Sequence, residues 1–138
     1  MKLPGTIYVD TSGLLALVNA ADTSHVAARR IESACREQRV KFVTSQLVLT
    51  EFLNAMAAVR ARSLAVHALA IWQESAFHRI EQLTTTHWNA ACRQYAAFPD
   101  KNWSLVDCSS FLLCKRRRLT HVLTADHHFR QAGFQILL

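Results

Sequence analysis

Apolar residues follow two alternating patterns along the chain, and this alternation predicts an α/β fold. Five short runs, rich in β-branched and other apolar residues, have the length and composition of strands: residues 6–10, 40–44, 79–83, 120–124 and 134–138. The first, fourth and fifth runs are almost continuously apolar, as expected for strands that are covered on both faces of a sheet. The sequence therefore predicts buried strands rather than the half-solvated strands of an open antiparallel sheet.

Segments with a helical period of 3.6 residues lie between these runs: residues 25–38, 46–60, 63–77, 86–98 and 105–118. In the second of them, Leu49, Phe52, Met56 and Val59 form one apolar stripe. Strands that alternate with helices imply crossover connections, so we expect a three-layer α/β/α sandwich around a mainly parallel, five-stranded sheet. The connection before the last strand is short for a parallel crossover, which leaves the direction of that strand open.

Composition agrees with a single folded domain that spans residues 1–138. The chain is 51% hydrophobic and has only 3 Gly and 2 Pro, which excludes disordered and collagen-like chains. It carries 16 Lys and Arg against 10 Asp and Glu, for a net charge of +6. A basic surface suits a polyanionic partner, although net charge carries no information about the fold.

Cysteine usage and the N-terminal sequence predict a cytoplasmic protein. The four cysteines form no C-x-x-C pair and have no zinc-ligand spacing, which favours free thiols in a reducing compartment. Lys2 followed by the apolar run 14–18 resembles a signal peptide only weakly, because that run is short, Asp10 lies ahead of it, and residues 7–9 have the pattern of a strand. No apolar stretch is long enough to span a membrane.

Four of the ten acidic residues are set in apolar strings, where a carboxylate needs a partner: Asp10, Glu51, Asp107 and Asp126. For three of them, helix capping is as good an explanation as a chemical function. Asp10 and Asp126 each follow a strand and precede a helical run, and Ser104 and Asp107 have the spacing of a capping box. Glu51 lies in the middle of a helix beside the apolar stripe, so capping does not explain it.

The placement of these acids favours a joint function. Asp10 and Asp126 each end a predicted parallel strand, and ligands of α/β proteins bind at that edge of the sheet. Two like charges about 4 Å apart repel by about 4 kcal/mol at an effective dielectric constant of about 20, whereas an N-cap contributes about 1 kcal/mol. A divalent cation such as Mg²⁺ or Mn²⁺ would offset this repulsion and would suit the hydrolysis of a phosphodiester by a basic protein.

Four segments, in their order and spacing, carry a resemblance to a known family: VDTS at 9–12 before GLLAL, TEFLN at 50–54, WSLVDCSSF at 103–111, and LTADHHF at 123–129 before AGF. The sequence resembles the PIN-domain ribonucleases, and most closely the VapC-type toxins of type II toxin–antitoxin systems. The resemblance extends over nearly the whole chain. Each segment is weakly specific alone, but the set of four is strongly specific.

The resemblance implies a three-layer sandwich and an endoribonuclease that requires Mg²⁺ or Mn²⁺. It also implies that the catalytic, metal-binding acids are Asp10, Glu51, Asp107 and Asp126. Hydroxyl groups beside these acids are expected to support the site, from Thr11, Ser12 and Thr124. A cognate antitoxin and a homodimer are the partners that the family implies.

Candidate RNA contacts lie in two basic segments. The run of Arg116, Arg117 and Arg118 ends a predicted helix, where complementing the helix dipole is as good an explanation as RNA contact. The residues after Asp126 include two histidines and Arg130, and at least one of these side chains is expected to face the site. His127 and Arg130 are the candidates for phosphate contacts.

Two other functions are compatible with this sequence. One is a housekeeping RNA-processing nuclease of the same fold, which would lack a small antitoxin-like reading frame beside its gene. The other is a non-catalytic RNA- or protein-binding module in which the acids act only as helix caps. That module would show no change of melting temperature or RNA integrity with Mg²⁺.

Overall fold

The computed structural model describes all 138 residues, in five strands and seven helices. In chain order the elements are β1 (Thr6–Val9), α1 (Thr11–Val18), α2 (His25–Glu37), β2 (Lys41–Ser45), α3 (Gln46–Ala55), α4 (Val59–Glu74), β3 (His78–Glu81), α5 (Thr85–Ala97), α6 (Leu105–Arg116), β4 (His121–Leu123), α7 (His127–Gln131) and β5 (Gln135–Ile136). No helix has the length and hydropathy needed to cross a membrane.

The strands form one sheet in the order β3-β2-β1-β4-β5, and every neighbouring pair is parallel. This confirms the predicted α/β class and the mainly parallel sheet. The direction of β5 was open in the sequence, and the structure makes it parallel to β4. Residues 124–134 form this crossover and include the short helix α7. So short a crossover is sufficient because β5 has only two residues.

Helices cover both faces of the sheet, as the sandwich prediction requires. The chain moves outward from β1 to β2 and β3 through α1–α4, then returns through α5 and α6 to place β4 on the other side of β1. Because parallel crossovers are right-handed, this reversal puts the two groups of helices on opposite faces. The packing agrees, since α1 contacts α2, α3 and α4, and α6 contacts α5 and α7; the two groups meet where α3 contacts α6.

The predicted helix over residues 46–60 is wrong in its extent. The chain leaves α3 at Ala55 and starts α4 at Val59, four residues before the predicted start at Ser63. Leu49, Phe52 and Met56 are buried as the apolar stripe predicts, but Val59 is 89% exposed. The chain has to reverse here to run back along the sheet, and a periodic stripe contains no signal for that reversal.

Gly13 allows α1 to approach β4 closely. A Cβ atom at this position would lie 2.1 Å from the carbonyl oxygen of Leu123 and 2.9 Å from its carbonyl carbon. Both atoms belong to the backbone of Leu123, which is fully buried in an interior strand, so they cannot move aside cheaply. The close approach sets the first turn of α1 beside the end of β4.

We predict that Gly13→Ala destabilises the protein by about 1–3 kcal/mol, the usual range for overpacking, although alanine is about 1 kcal/mol better in a helix. Gly5→Ala is the matched control, because a Cβ there meets no atom within 4 Å. Urea unfolding followed by circular dichroism measures both variants. Equal stability of Gly13→Ala and Gly5→Ala would contradict the close approach.

Candidate active site

Asp10 lies at the centre of the site, directly after β1. It occupies the N-cap position of α1, but its side chain makes no capping hydrogen bond. The residue is only 4% exposed, and its Oδ2 accepts a hydrogen bond from Thr124 Oγ1 at 3.3 Å. The capping explanation for Asp10 therefore fails, and its carboxyl group is directed to the end of β4 instead.

Asp107 lies in the first turn of α6 and is 7% exposed. It forms the predicted capping box with Ser104: the Ser104 N–H donates to Asp107 Oδ2, and the Asp107 N–H donates to Ser104 Oγ, both at 3.0 Å. The capping prediction is thus confirmed for this residue. Capping also fixes the carboxyl group at the same edge of the sheet as Asp10.

Asp126 is the N-cap of α7, and its Oδ1 accepts a hydrogen bond from the His128 N–H at 2.9 Å. Glu51 extends from the exposed surface of α3, and its Oε1 accepts a hydrogen bond from Thr11 Oγ1 at 2.5 Å. Thr11 follows Asp10 directly, so this contact brings the Glu51 carboxylate to the start of α1. Each acid is held by at least one hydrogen bond from a neighbouring residue.

The four predicted acids lie close enough to influence one another. Burial, together with the nearby carboxylates of Asp107, Glu51 and Asp126, raises the pKa of Asp10 from 3.8 to about 7. Burial also raises the pKa of Asp107, and the charge of Asp126 adds to that increase. The structure thus brings together residues from four separate segments at the point where the strand order reverses, between β1 and β4.

A chain of hydroxyl groups supports Asp10 and Asp126. Thr124 Oγ1 donates to Asp10 and accepts from the Asp126 N–H at 3.0 Å. Ser12 Oγ is 2.8 Å from Thr124 Oγ1 and accepts from the Ala125 N–H at 3.0 Å. Because the Thr124 proton is used on Asp10, the Ser12 hydroxyl donates to Thr124. The network ties the start of α1 to the turn after β4, and the supporting role of Thr11, Ser12 and Thr124 in the reaction stays a prediction.

Tyr8 holds the helices that carry two of the acids against β1. Its hydroxyl donates to Ser45 Oγ at 3.3 Å and is hydrogen-bonded to Ser110 Oγ at 2.8 Å. Ser45 is the N-cap of α3, which carries Glu51, and Ser110 belongs to α6, which carries Asp107. All three hydrogen-bonded side chains are buried. The arrangement of the acids therefore depends on a polar contact inside the core.

His128 also belongs to the site, although the sequence did not distinguish it from its neighbours. Its Nδ1 lies 3.2 Å from Asp107 Oδ2 and 3.2 Å from Asp126 Oδ1. The His127 side chain is 70% exposed, against 20% for His128, and its Nδ1 is 3.9 Å from Asp126 Oδ1. The expectation that at least one residue after Asp126 faces the site is met by His128. Helical periodicity could not predict which of the two histidines faces inward, because a helix this short has too few residues to define a buried face.

The donor groups at the site fit a divalent cation. Carboxylate oxygens are the ligands that Mg²⁺ and Mn²⁺ prefer. His128 Nδ1 is shielded from solvent, makes no well-directed hydrogen bond and lies 3.2 Å from an oxygen of each of two carboxylates. An electron-rich group of this kind needs a positive charge to offset its burial. Asp126, His127 and His128 can also place one ligand atom each within 4.8 Å of one another.

The basic run at the end of α6 is not brought to the acids. Arg116 lies nine positions beyond Asp107 in the same helix, which is about 14 Å along its axis. Arg117 pairs with Glu81 of β3, an edge strand that β2 separates from β1. His127 and Arg130 lie exposed on α7, next to Asp126. RNA contact stays a prediction for all five candidate residues: Arg116, Arg117, Arg118, His127 and Arg130. The arginine run could bind RNA only at a distance from the acids.

Comparison with known proteins identifies the family. Residues 7–135 match the PIN domain. The chain belongs to the PIN domain family. This PIN domain is 32% identical over 131 residues to the 23S rRNA-specific endonuclease VapC20 of Mycobacterium tuberculosis, covering 93% of this chain and 95% of that protein. The resemblance inferred from the sequence is confirmed.

Solved structures share the fold of this PIN domain. The crystal structure of M. tuberculosis VapC20, described as a sarcin–ricin loop cleaving toxin, matches with a TM-score of 0.83 and 29% identity over 93% of this chain and 95% of that one. FitAcB from Neisseria gonorrhoeae matches with a TM-score of 0.65 and 18% identity, covering 96% of each chain. VapBC2 from Rickettsia felis, bound to a promoter DNA fragment, also has a TM-score of 0.65, at 9% identity and 95% and 96% coverage. The last two similarities show the fold alone.

We predict that Asp10→Asn stabilises the metal-free protein at pH 7.5 by on the order of 2–4 kcal/mol. Because the folded protein binds the Asp10 proton more tightly than the unfolded chain, its unfolding free energy falls as the pH rises from about 4 to about 7. Asparagine keeps the shape and an acceptor oxygen but has no charge to bury. The advantage of the variant should therefore shrink towards pH 4–5.

Chemical unfolding in EDTA at several pH values tests this prediction. The difference in unfolding free energy between Asp10→Asn and wild type isolates the contribution of Asp10. Burial lowers the pKa values of His78 and His87, but both residues titrate in both proteins. Asp100→Asn is the matched control, since the Asp100 side chain is 70% exposed and is paired only with Lys101. A stability difference between Asp10→Asn and wild type that does not change with pH would show that the Asp10 carboxyl group is not electrostatically strained.

Proposed function

We propose that this PIN domain is a metal-dependent endoribonuclease and the toxin of a toxin–antitoxin pair. The observation that carries the proposal is the convergence of three acids from separate segments on the buried carboxyl group of Asp10 at the strand-order reversal. Like charges gathered at this position cost free energy, and a divalent cation accounts for them. Identity of 32% to an endonuclease over nearly the full length of both chains supports the same activity.

The proposed metal ligands are Asp10, Glu51, Asp107 and Asp126. A bound Mg²⁺ or Mn²⁺ polarises the scissile phosphate and lowers the pKa of the attacking water. The protein's own groups position these ligands: Thr124 donates to Asp10, Thr11 donates to Glu51, and backbone N–H groups hold the other two acids. His127 and Arg130, exposed beside Asp126, are proposed to contact phosphates that flank the cleaved bond.

RNA is the proposed substrate, and the net charge of +6 suits its phosphate backbone. VapC20, whose structure matches with a TM-score of 0.83, is described as a 23S rRNA-specific endonuclease and a sarcin–ricin loop cleaving toxin. We therefore propose 23S rRNA as the first substrate to examine. A protein that acts on ribosomal RNA would work in the cytoplasm. We propose that residues 1–138 act as one nuclease domain.

The proposed protein partners are a cognate antitoxin and a second copy of the chain. VapC20, which is 32% identical to this chain, is described as a toxin, and a toxin of this kind suits a cognate antitoxin as partner. A housekeeping RNA-processing nuclease with the same fold is the alternative within enzymes. Its gene would have no antitoxin-like reading frame beside it, and its overproduction would not arrest growth.

We predict that the wild-type protein cuts RNA into discrete fragments with Mg²⁺ or Mn²⁺ and that Asp10→Asn lowers the rate by at least about a hundredfold, which is about 2.7 kcal/mol of barrier. Loss of one carboxylate removes both a ligand and the charge that retains the cation. Total RNA and a sarcin–ricin hairpin are incubated with each metal or with EDTA, and the products are separated by size.

Asp100→Asn is again the control, because it removes an exposed carboxylate of the same type from the surface. The purified protein is first checked for a small bound antitoxin, which would mask activity. Cleavage that persists in EDTA or in Asp10→Asn would refute the metal-dependent nuclease. Intact RNA with antitoxin-free protein, and a melting temperature that metal does not shift, would instead favour the non-catalytic binding module.

A further inference from the structure

Three possible metal-ligand atoms converge at the start of α7, and two of them belong to the proposed acidic ligands. His128 Nδ1 lies 3.2 Å from an oxygen of Asp107 and 3.2 Å from an oxygen of Asp126. Neither contact has the geometry of a well-directed hydrogen bond, and the ring nitrogen is shielded from solvent. A buried nitrogen without a well-directed hydrogen bond costs free energy, and a metal ion shared with the two oxygens would offset that cost.

The separations are those of atoms that share a cation. Two adjacent ligands of an octahedral ion with bonds of about 2.1 Å stand about 3.0 Å apart. Imidazole Nδ1 is a common metal ligand in its neutral form, when its lone pair points at the ion. The distances from His128 Nδ1 to the two carboxylates are close to this value.

The local backbone holds the ring in this place. The Asp126 side chain caps α7 by accepting the His128 N–H, so the carboxylate and the imidazole of the same turn are fixed relative to each other. Phe129, the next residue, is fully buried and anchors α7 in the core beside Phe111. His127 in the same helix points outward, with a side chain that is 70% exposed.

We propose that His128 Nδ1 is a ligand of the metal ion, in addition to the acids, and that it biases the site towards Mn²⁺ over Mg²⁺. This inference rests on the metal-dependent function proposed above. Mg²⁺ is bound through carboxylates and waters, whereas imidazole nitrogen is a ligand of first-row transition metals. A mixed oxygen and nitrogen ligand set therefore binds Mn²⁺ better than four carboxylates alone, relative to Mg²⁺.

Electron spin echo spectroscopy of the Mn²⁺-loaded protein tests the proposal without any mutation. A directly bound imidazole couples its ¹⁴N nucleus to the Mn²⁺ electron spin, and labelling the protein with ¹⁵N-histidine changes that coupling. We expect a nitrogen signal in the wild type that changes on labelling. Its absence, with Mn²⁺ bound, would overturn the proposal that a histidine is a ligand.

Two variants assign the signal to one histidine. His128→Gln should abolish it and reduce the affinity for Mn²⁺ on the order of tenfold, while the affinity for Mg²⁺ changes much less. His127→Gln makes the same change on the exposed neighbouring side chain and should keep the signal; loss of the signal in this variant would overturn the assignment to His128. Isothermal titration with each metal gives the affinities, and circular dichroism checks that both variants fold.

The outcomes separate this inference from the proposed function. Mn²⁺-dependent RNA cleavage without a nitrogen signal would leave the nuclease intact and remove His128 from the ligands. Tighter Mn²⁺ binding by His128→Gln would also overturn the inference, since it would show that the ring occupies the place of the ion. Binding of neither Mn²⁺ nor Mg²⁺ by the wild type would refute the metal-dependent function itself.

Discussion

The carboxyl group of Asp10 is buried at the end of a central strand, with three other acids near enough to oppose its ionisation. Each neighbouring element contributes to this unfavourable environment: α3 through Glu51, α6 through Asp107 and the turn after β4 through Asp126. The metal-free protein lowers the cost by holding the Asp10 proton up to a pH of about 7. A cation bound among these groups would replace that proton, so the property that weakens the fold is the same one that creates affinity for a metal.

The scaffold determines where these acids meet. Strand order reverses between β1 and β4, and the carboxyl ends of both strands lie at the same edge of the sheet. Gly13 lets α1 approach β4, which brings Ser12 against Thr124. Tyr8 joins α3 and α6 through buried hydroxyl groups, so the two helices cannot move independently of β1. The site is therefore built at the ends of packed elements, which favours a fixed ligand geometry.

Helix capping and chemistry, considered as alternatives for the isolated acids, turn out to be compatible. Asp107 and Asp126 cap α6 and α7 through hydrogen bonds with backbone N–H groups, and those bonds hold their carboxylates beside Asp10 and His128. Asp10 makes no capping bond at all. A cap stabilises a helix by about 1 kcal/mol and also orients the carboxylate, so a capping position is well suited to an acid that has a second function.

Local sequence determined the strand and helix classes, the capping box at Ser104 and the acids that stand out in apolar strings, because periodicity and capping depend on residues close in the chain. These local patterns, together with the order of the four motifs along the chain, were enough to indicate the family. The tertiary structure decided the direction of β5, the break between α3 and α4, the inward position of His128 and the distance of Arg117 from the acids. Each of these depends on contacts between residues far apart in the chain, and the burial and direction of a side chain are set by those contacts rather than by its neighbours in sequence.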